Sequence, residues 1–460
     1  MTSTPDGEAP LRFAVDGNLA IIELNNPPVN ALYDTMRDGI ASLMAQLEHD
    51  PAIAAILFVG AGRAFSAGVD LKRTSSRPEP FFLHAALDAI DQVTKPLLAA
   101  IHGPALGGGL ELALTCHYRL AGPDACFGLP EVEVGIIPGA CGTQRLPRII
   151  PLARALDVAA SGDILGTAEA AQLGLVDEVT NATDFRAAAI AWAKSQTGKP
   201  IRRTRNHAII ASADAQALFT AAAQRAANER PGESAPLKAI AAVLAGYEHG
   251  FDAGVEAERQ LVTECKHSAQ AKAMRHLFFA ERAAGKVAEL PQRITSLALS
   301  GSRAETLAKI AREAGIEIRP DGAVALHAIG PEETSAPNAL TVILHGNPNG
   351  LVEIATPTEQ DSGILAAVVR LVRPLGRATV IGRGCQLSQQ LRAATANTGS
   401  TPRQFPPPVI AALADTAAQL VASGAATSTG DIDLLCIAAL GFPRPLGGPV
   451  YQYGLISGVK

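Results

Sequence analysis

Two glutamates set among leucines and valines are the first feature of this chain that could do chemistry. Glu111 lies in LGGGLELALTC (106–116), and Glu131 follows about 20 residues later in FGLPEVEVG (127–135). An apolar setting disfavours the carboxylate against the carboxylic acid. It therefore brings the pKa toward neutrality, where such a group can give or take a proton. Gly107, Gly108 and Gly109 stand just before Glu111, where strand text gives way to helix text. Backbone N–H groups at such a point can face an anion or an oxygen on which charge develops. A second glycine turn, in RAFSAGVDLK (63–72), offers the N–H of Val69 as a further donor. Two carboxyls beside main-chain donors can divide acid and base duties. Taken alone, Glu111 reads as a first-turn charge that stabilises a helix N-terminus. Glu133, the third carboxylate nearby, reads as solvent-facing.

The elements that must hold these groups alternate short apolar runs with helical stretches. LAIIELN (19–25), AAILFVG (54–60) and PLLAAIHG (96–103) read as strands, and Met36–Leu47 reads as a helix. Such alternation predicts stacked βα or ββα units, hence an α/β domain over 1–183. From 184 to 290 the text turns helical. AQAKAMRHLFFAERAAGK (269–286) places Ala271, Met274, Leu277 and Phe278 on one face. Residues 291–405 start a new strand–helix pattern with strands at ITSLALSG (294–301), LTVILHG (340–346) and ATVIG (378–382), and residues 406–460 are helical again.

Composition narrows the function classes. The 460 residues are 48% hydrophobic and 18% charged, enough to bury cores in two or three domains. Thirty-nine basic against 44 acidic side chains leave a net charge of −5, which gives nucleic acid or an anionic membrane no electrostatic hold. No apolar run reaches ~18 residues, so no membrane span is expected. Six scattered cysteines without C-x-x-C spacing predict a reduced, cytoplasmic protein with no metal site. The polar start, MTSTPDGEAPLRF, has the character of neither a secretory nor a transit segment.

NPPVNAL (26–32), AFSAGVDL (64–71), ALGGGLELALTC (105–116) and FGLPEVEVGIIPGACGTQRLPR (127–148) occur in that order. Together they resemble the crotonase superfamily, specifically enoyl-CoA hydratase, over roughly residues 10–180. The resemblance implies a ββα spiral fold and an acyl-CoA thioester substrate, with no cofactor required beyond the coenzyme A the substrate carries. It implies an oxyanion hole from the N–H groups of Val69 and Gly108, with Glu111 activating water and Glu131 protonating Cα. Substrate contacts are implied for Val29, Ala31, Ser66, Ala67, Gly68, Asp70, Leu71 and Gly139. Arg63, Lys72 and Arg73 read either as phosphate contacts or as a solvated face. Cys141 stands where the family pattern would read PGAGGTQ; near a helix N-terminus it is a reactive thiol or, as we read it, a packing residue. Isomerases of this family commonly lack the glutamate corresponding to Glu111, so its presence favours hydration over isomerisation.

The second half resembles the multifunctional β-oxidation enzymes, which join a hydratase to a 3-hydroxyacyl-CoA dehydrogenase. HLFFAERAAGKV (276–287) and DIDLLCIAALGFPRPLGGPVYQYG (431–454) carry that likeness, and LHGNPNGLVEI (344–354) resembles the segment bearing the dehydrogenase's His–Glu pair. The dinucleotide fingerprint is missing. Gly301-Ser302-Arg303-Ala304-Glu305-Thr306 has one glycine where G-x-G-x-x-G is needed, and Glu305 brings negative charge toward a pyrophosphate. About 40 residues then separate this turn from His345, little more than the ~30 that a single βαβ unit takes. These observations predict a truncated Rossmann-like remnant and a helical dehydrogenase-like segment that does not use NAD. His345 and Glu353, eight apart, are expected not to meet, and Gln389 stands near where the family carries an asparagine. A working NAD-dependent dehydrogenase and a non-catalytic acyl-CoA-binding scaffold are the rival readings. Single-domain relatives form trimers and multifunctional ones can be monomers, so monomer and homo-oligomer both stay open.

Overall fold

A computed structural model describes residues 9–71, 82–210, 214–335, 339–346, 350–396, 398 and 405–457. The chain divides into two compact units, Met1–Ser268 and Ala269–Lys460. The division lies before the boundary read near Pro291, so the helix of 269–283 goes with the second unit.

Unit 1 opens with β1 (Leu11–Asp16), β2 (Leu19–Leu24), α1 (Asp34–His49), β3 (Ala55–Gly60), α2 (Phe82–Gln92) and β4 (Leu97–Ile101). Then come β5 (Pro104–Leu106), α3 (Gly108–Thr115), β6 (Tyr118–Ala121), β7 (Cys126–Gly128), and a 3-10 turn over Pro130–Val134. The unit continues with α4 (Gly142–Arg145), α5 (Leu152–Ser161), β8 (Ile164–Gly166), α6 (Thr167–Gln172), β9 (Glu178–Val179) and α7 (Phe185–Ser195). Helices α8 (Ala215–Glu229), α9 (Ala235–His249) and α10 (Phe251–His267) complete it.

Six strands form one sheet in the order β1-β2-β3-β4-β6-β9, and β5-β7-β8 form a second. Apart from the antiparallel β1–β2 hairpin, the large sheet is parallel. Parallel strands covered on both faces read as continuous apolar runs, which is why β2, β3 and β4 were legible. Ile22, Phe58 and Ala99 enter the main core with Met36 of α1, while Ile21, Leu57 and Leu98 meet Trp192 of α7 on the other face. The parallel crossovers carry the chain from β5 straight into α3, so the Gly107 turn sits at a strand end, where backbone donors are exposed.

Unit 2 contains α11 (Ala269–Ala283), β10 (Ser296–Ser300), α12 (Ala304–Glu313), β11 (Glu317–Ile318), β12 (Val324–Ile329), β13 (Thr341–His345), β14 (Leu351–Thr356), α13 (Ser362–Val372) and β15 (Ala378–Arg383). Helices α14 (Leu387–Ala396), α15 (Pro407–Ala422), α16 (Thr429–Leu435) and α17 (Pro449–Ser457) follow. Its sheet has the order β11-β10-β12-β13-β14-β15, parallel except for β13 against β14. In α11 the buried residues are Ala271, Ala273, Met274, Leu277 and Ala280. Phe278 was expected among them but is half-buried, with Arg282 over its ring.

Candidate active site

The site of unit 1 begins at Gly107, which caps α3 at φ +52° and ψ −127°. A Cβ there would lie 2.7 Å from Glu131 Oε1, so the glycine serves both the turn and the close approach of the carboxyl. Gly108 follows as the first helical residue, with an N–H that the helix cannot use. The N–H of Val69 likewise has no acceptor among the described residues, because the parallel bridge between Leu32 and Val69 uses Gly68 O and the N–H of Asp70. The two donors are neighbours. A Cβ on Gly108 would be 3.3 Å from Val69 Cγ2 and 3.7 Å from Val69 N.

The loop carrying Val69 is pinned by residues whose part the sequence reading did not name. Asn30, at φ +52°, donates through Nδ2 to Ala61 O (2.8 Å) and Ala64 O (2.7 Å). Ser66 is fully buried, and its hydroxyl donates to Asn30 O (2.8 Å) and accepts from the N–H of Gly68 (3.3 Å). Ala67 N donates to Val29 O (2.9 Å), and Asn26 Nδ2 donates to Ala31 O (2.7 Å). Val29, Ala31, Ser66, Ala67, Gly68 and Asp70 thus share one hydrogen-bonded platform under the Val69 donor. Leu71 ends the described stretch; Lys72 and Arg73 lie outside the described residues. Arg63 is exposed and reaches Pro28 O (3.4 Å). Gly139 faces α10 instead: a Cβ there would be 2.9 Å from Val262 Cγ2.

Glu111, in the first turn of α3, is buried and accepts at Oε1 from the N–H groups of Ala140 (2.7 Å) and Gly142 (3.0 Å). Burial pushes it up to about 7, against those donors and the Arg145 charge. Glu131, on the 3-10 turn, keeps Oε2 out of solvent with no hydrogen-bond partner among the described residues. Burial first, then the charge on Glu111, holds it well above the ordinary carboxylate range. The two environments thus separate an acid that loses its proton near neutrality from one that keeps it.

Of three neighbours, Glu133 differs from expectation, Cys141 packs as read, and Glu258 was missed. Glu133 does not face solvent freely; it pairs with Arg230 at 2.5 Å, because α8 ends against the 3-10 turn. Cys141 is buried in a left-handed conformation (φ +70°), and burial together with Glu258 holds its thiol far from ionisation, so it packs and does not react. Glu258 is the residue sequence reasoning missed. It is fully buried on α10, accepts from Cys141 N (2.6 Å), Thr143 N (3.1 Å) and Thr143 Oγ1 (2.5 Å), and is pushed up to about 8 by burial and then by Glu111. Its signal was a lone acid on a stripe of Val255, Val262 and Cys265.

In unit 2, His345 and Glu353 meet after all: Nε2 and Oε2 are 2.9 Å apart, both side chains fully buried. The antiparallel hairpin of β13 and β14 sets Ile343 opposite Glu353 and His345 opposite Leu351, so the two lie diagonally across one face. Glu353 also accepts from Ser388 N (3.0 Å), while His345 Nδ1 has no partner among the described residues. Gln389 donates to Thr334 Oγ1 (3.1 Å). Gly301, at φ +95°, lies so close to β12 that a Cβ would be 2.2 Å from Ala328 O, and Glu305 is exposed beside Arg312. Among the described residues no group of three His, Cys, Asp or Glu side chains could hold a metal ion, and no helix is long and apolar enough to cross a membrane.

Residues 15–240 match the family described as enoyl-CoA hydratase/isomerase. A protein from Bacillus subtilis named "Probable enoyl-CoA hydratase" is 45% identical over 173 residues, 36% of this chain and 67% of that protein. The peroxisomal bifunctional enzyme of Cavia porcellus is 39% identical over 275 residues, 58% of this chain but only 38% of its own length. The glyoxysomal fatty acid β-oxidation multifunctional protein MFP-a of Brassica napus is 32% identical over 320 residues, 65% of this chain and 44% of that protein. With both glutamates and both main-chain donors in place within the matched stretch, the chain belongs to the enoyl-CoA hydratase/isomerase family.

Proposed function

We propose that the chain hydrates 2-enoyl-CoA thioesters to 3-hydroxyacyl-CoA in the breakdown of fatty or related acyl chains. The observation that carries this reading is the pairing of Glu111 with Glu131 beside the free N–H groups of Val69 and Gly108. The thioester oxygen takes both N–H donors, which stabilise the enolate charge that builds as water adds. Glu111, ionised at and above about 7, removes a proton from the attacking water, whose oxygen bonds to C3. Glu131, still protonated, delivers a proton to Cα as the enolate collapses. One water is consumed, and the step ends with Glu111 protonated and Glu131 ionised; return of a proton from Glu111 to Glu131 resets the pair. Because the two titrations are coupled, they form one acid–base unit. Isomerisation of a 3-enoyl to a 2-enoyl thioester would need only the proton shuttle of Glu131 and is kept as a side activity.

For unit 2 we propose a remnant of the dehydrogenase module that binds no NAD. The reading rests on the single glycine at the β10–α12 turn, the exposed acid Glu305 in the first turn of α12, and the short course from β10 to β13. The buried His345–Glu353 pair favours the second reading, a working dehydrogenase, since the pair itself is intact.

Loss of the enoyl-thioester ultraviolet band on adding crotonyl-CoA tests the first proposal. Glu111→Gln and Glu131→Gln are each expected to lower kcat by about 10²–10⁴-fold. The wild-type rate should rise with pH through about 7 as Glu111 ionises. Near-full activity in both variants overturns the assignment.

A further inference from the structure

Helix α10 lies beyond residue 240, where the family match ends, yet it sends a carboxylate to the rim of the site. Four consecutive main-chain N–H groups follow Gly139, and they alternate between two acids. Those of Ala140 and Gly142 go to Glu111 Oε1, and those of Cys141 and Thr143 go to Glu258. The left-handed Cys141 (φ +70°, ψ 15°) lets successive donors point to opposite sides. The strip is thus stretched between a carboxyl of α3 and a carboxyl of α10.

We infer that Glu258 is a positioning residue for the hydration step: by gripping Cys141 and Thr143 it fixes the strip whose other two N–H groups clamp Glu111 Oε1. The clamp leaves Glu111 Oε2, which accepts from no described residue, as the oxygen that meets water. Both oxygens of Glu258 are engaged by the strip, Oε1 by Cys141 and Oε2 by Thr143 twice. The site around it is built to close tolerances. A Cβ on Gly139 would press on Val262 at 2.9 Å, and one on Gly142 would lie 2.8 Å from Glu111 Oε1. An amide cannot substitute, because whichever way it turns its NH₂ end opposes the N–H of Cys141 or of Thr143. The inference rests on the hydratase reading and goes further by giving α10 a part in it.

The test is a cycle of Glu258→Gln, Glu111→Gln and the double variant in the full chain, with crotonyl-CoA as substrate. Glu258→Gln is expected to lower kcat by about 10-fold or more while KM changes less than about 2-fold. In the Glu111→Gln background the same change should add less than about 2-fold, because residues acting through one group are not additive. Equal losses in both backgrounds, or an unchanged kcat, overturn the inference. Wild-type turnover separates this result from the hydratase reading, which fails if the wild-type chain leaves crotonyl-CoA untouched. Independently of turnover, amide hydrogen exchange over 140–143 should quicken at least about 10-fold in Glu258→Gln, and unchanged exchange counts against it. Should that variant not fold, Thr143→Val, which removes only the hydroxyl donor, is expected to quicken exchange over the same segment, and its failure to do so overturns the grip.

Discussion

Gly107 owes its identity to Glu131. Its φ of +52° with ψ −127° belongs to glycine, and a methyl there would stand 2.7 Å from the carboxyl oxygen it faces. Gly107→Ala should therefore cost about 1–3 kcal/mol of stability. It should also lower kcat about 10-fold or more by displacing Glu131, as urea unfolding and steady-state rates on one preparation would show. At this scale the two glutamates and their donors were legible because each sits inside a contiguous motif. Glu258 was not, since its partners Cys141 and Thr143 are distant in sequence and only the packing of α10 brings them together. His345 and Glu353 were expected apart because residue spacing says nothing of a hairpin register; β13 and β14 supply it.

Helices α9 and α10 meet at glycines. A Cβ on Gly246 or Gly254 would fall 1.8 or 2.1 Å from Gln144 Oε1, so the side chain of α4 is threaded between two bare stretches of helix. Gln144 donates there to Ala242 O at 2.8 Å. Gly254→Ala gains helix propensity of up to about 1 kcal/mol, but overpacking at so tight a point costs about 1–3 kcal/mol. The net expectation is a lower urea midpoint, together with slower hydration because α10 carries Glu258. The legible strands were those with apolar runs, β2, β3, β4, β10, β13 and β15. Strand β1 escaped although Leu11, Phe13 and Val15 recur every second residue, and all but one of its residues are exposed. Strands β5, β7 and β8 are three residues each, too short for any period to show. Strand β14 is buried along its whole length, but Glu353 in its middle interrupts the apolar run that would mark a strand.

At the scale of the molecule, 460 residues accommodate one unit that buries Glu111 and Glu131 and a second whose sheet enters α12 through a turn with the single glycine Gly301. The α/β pattern of both halves could be read in advance, as could the missing fingerprint. The place where the units divide could not, since α11 looks alike in sequence whichever side it packs on. Titrating the full chain with NADH and following its fluorescence should give no saturable change up to about 100 μM. A micromolar dissociation constant would restore the dehydrogenase reading.

The alternating grip on residues 140–143 also bears on how such chains can be cut and joined. A crossover placed at residue 183, or at 240 where the family model's match ends, would strand one carboxylate of the pair on the wrong fragment. Gene fusions and domain grafts that aim to carry this site elsewhere should run to Ser268, the residue that caps α10 and ends the compact unit containing it. The unit that holds both carboxyls is longer than the stretch the family match covers.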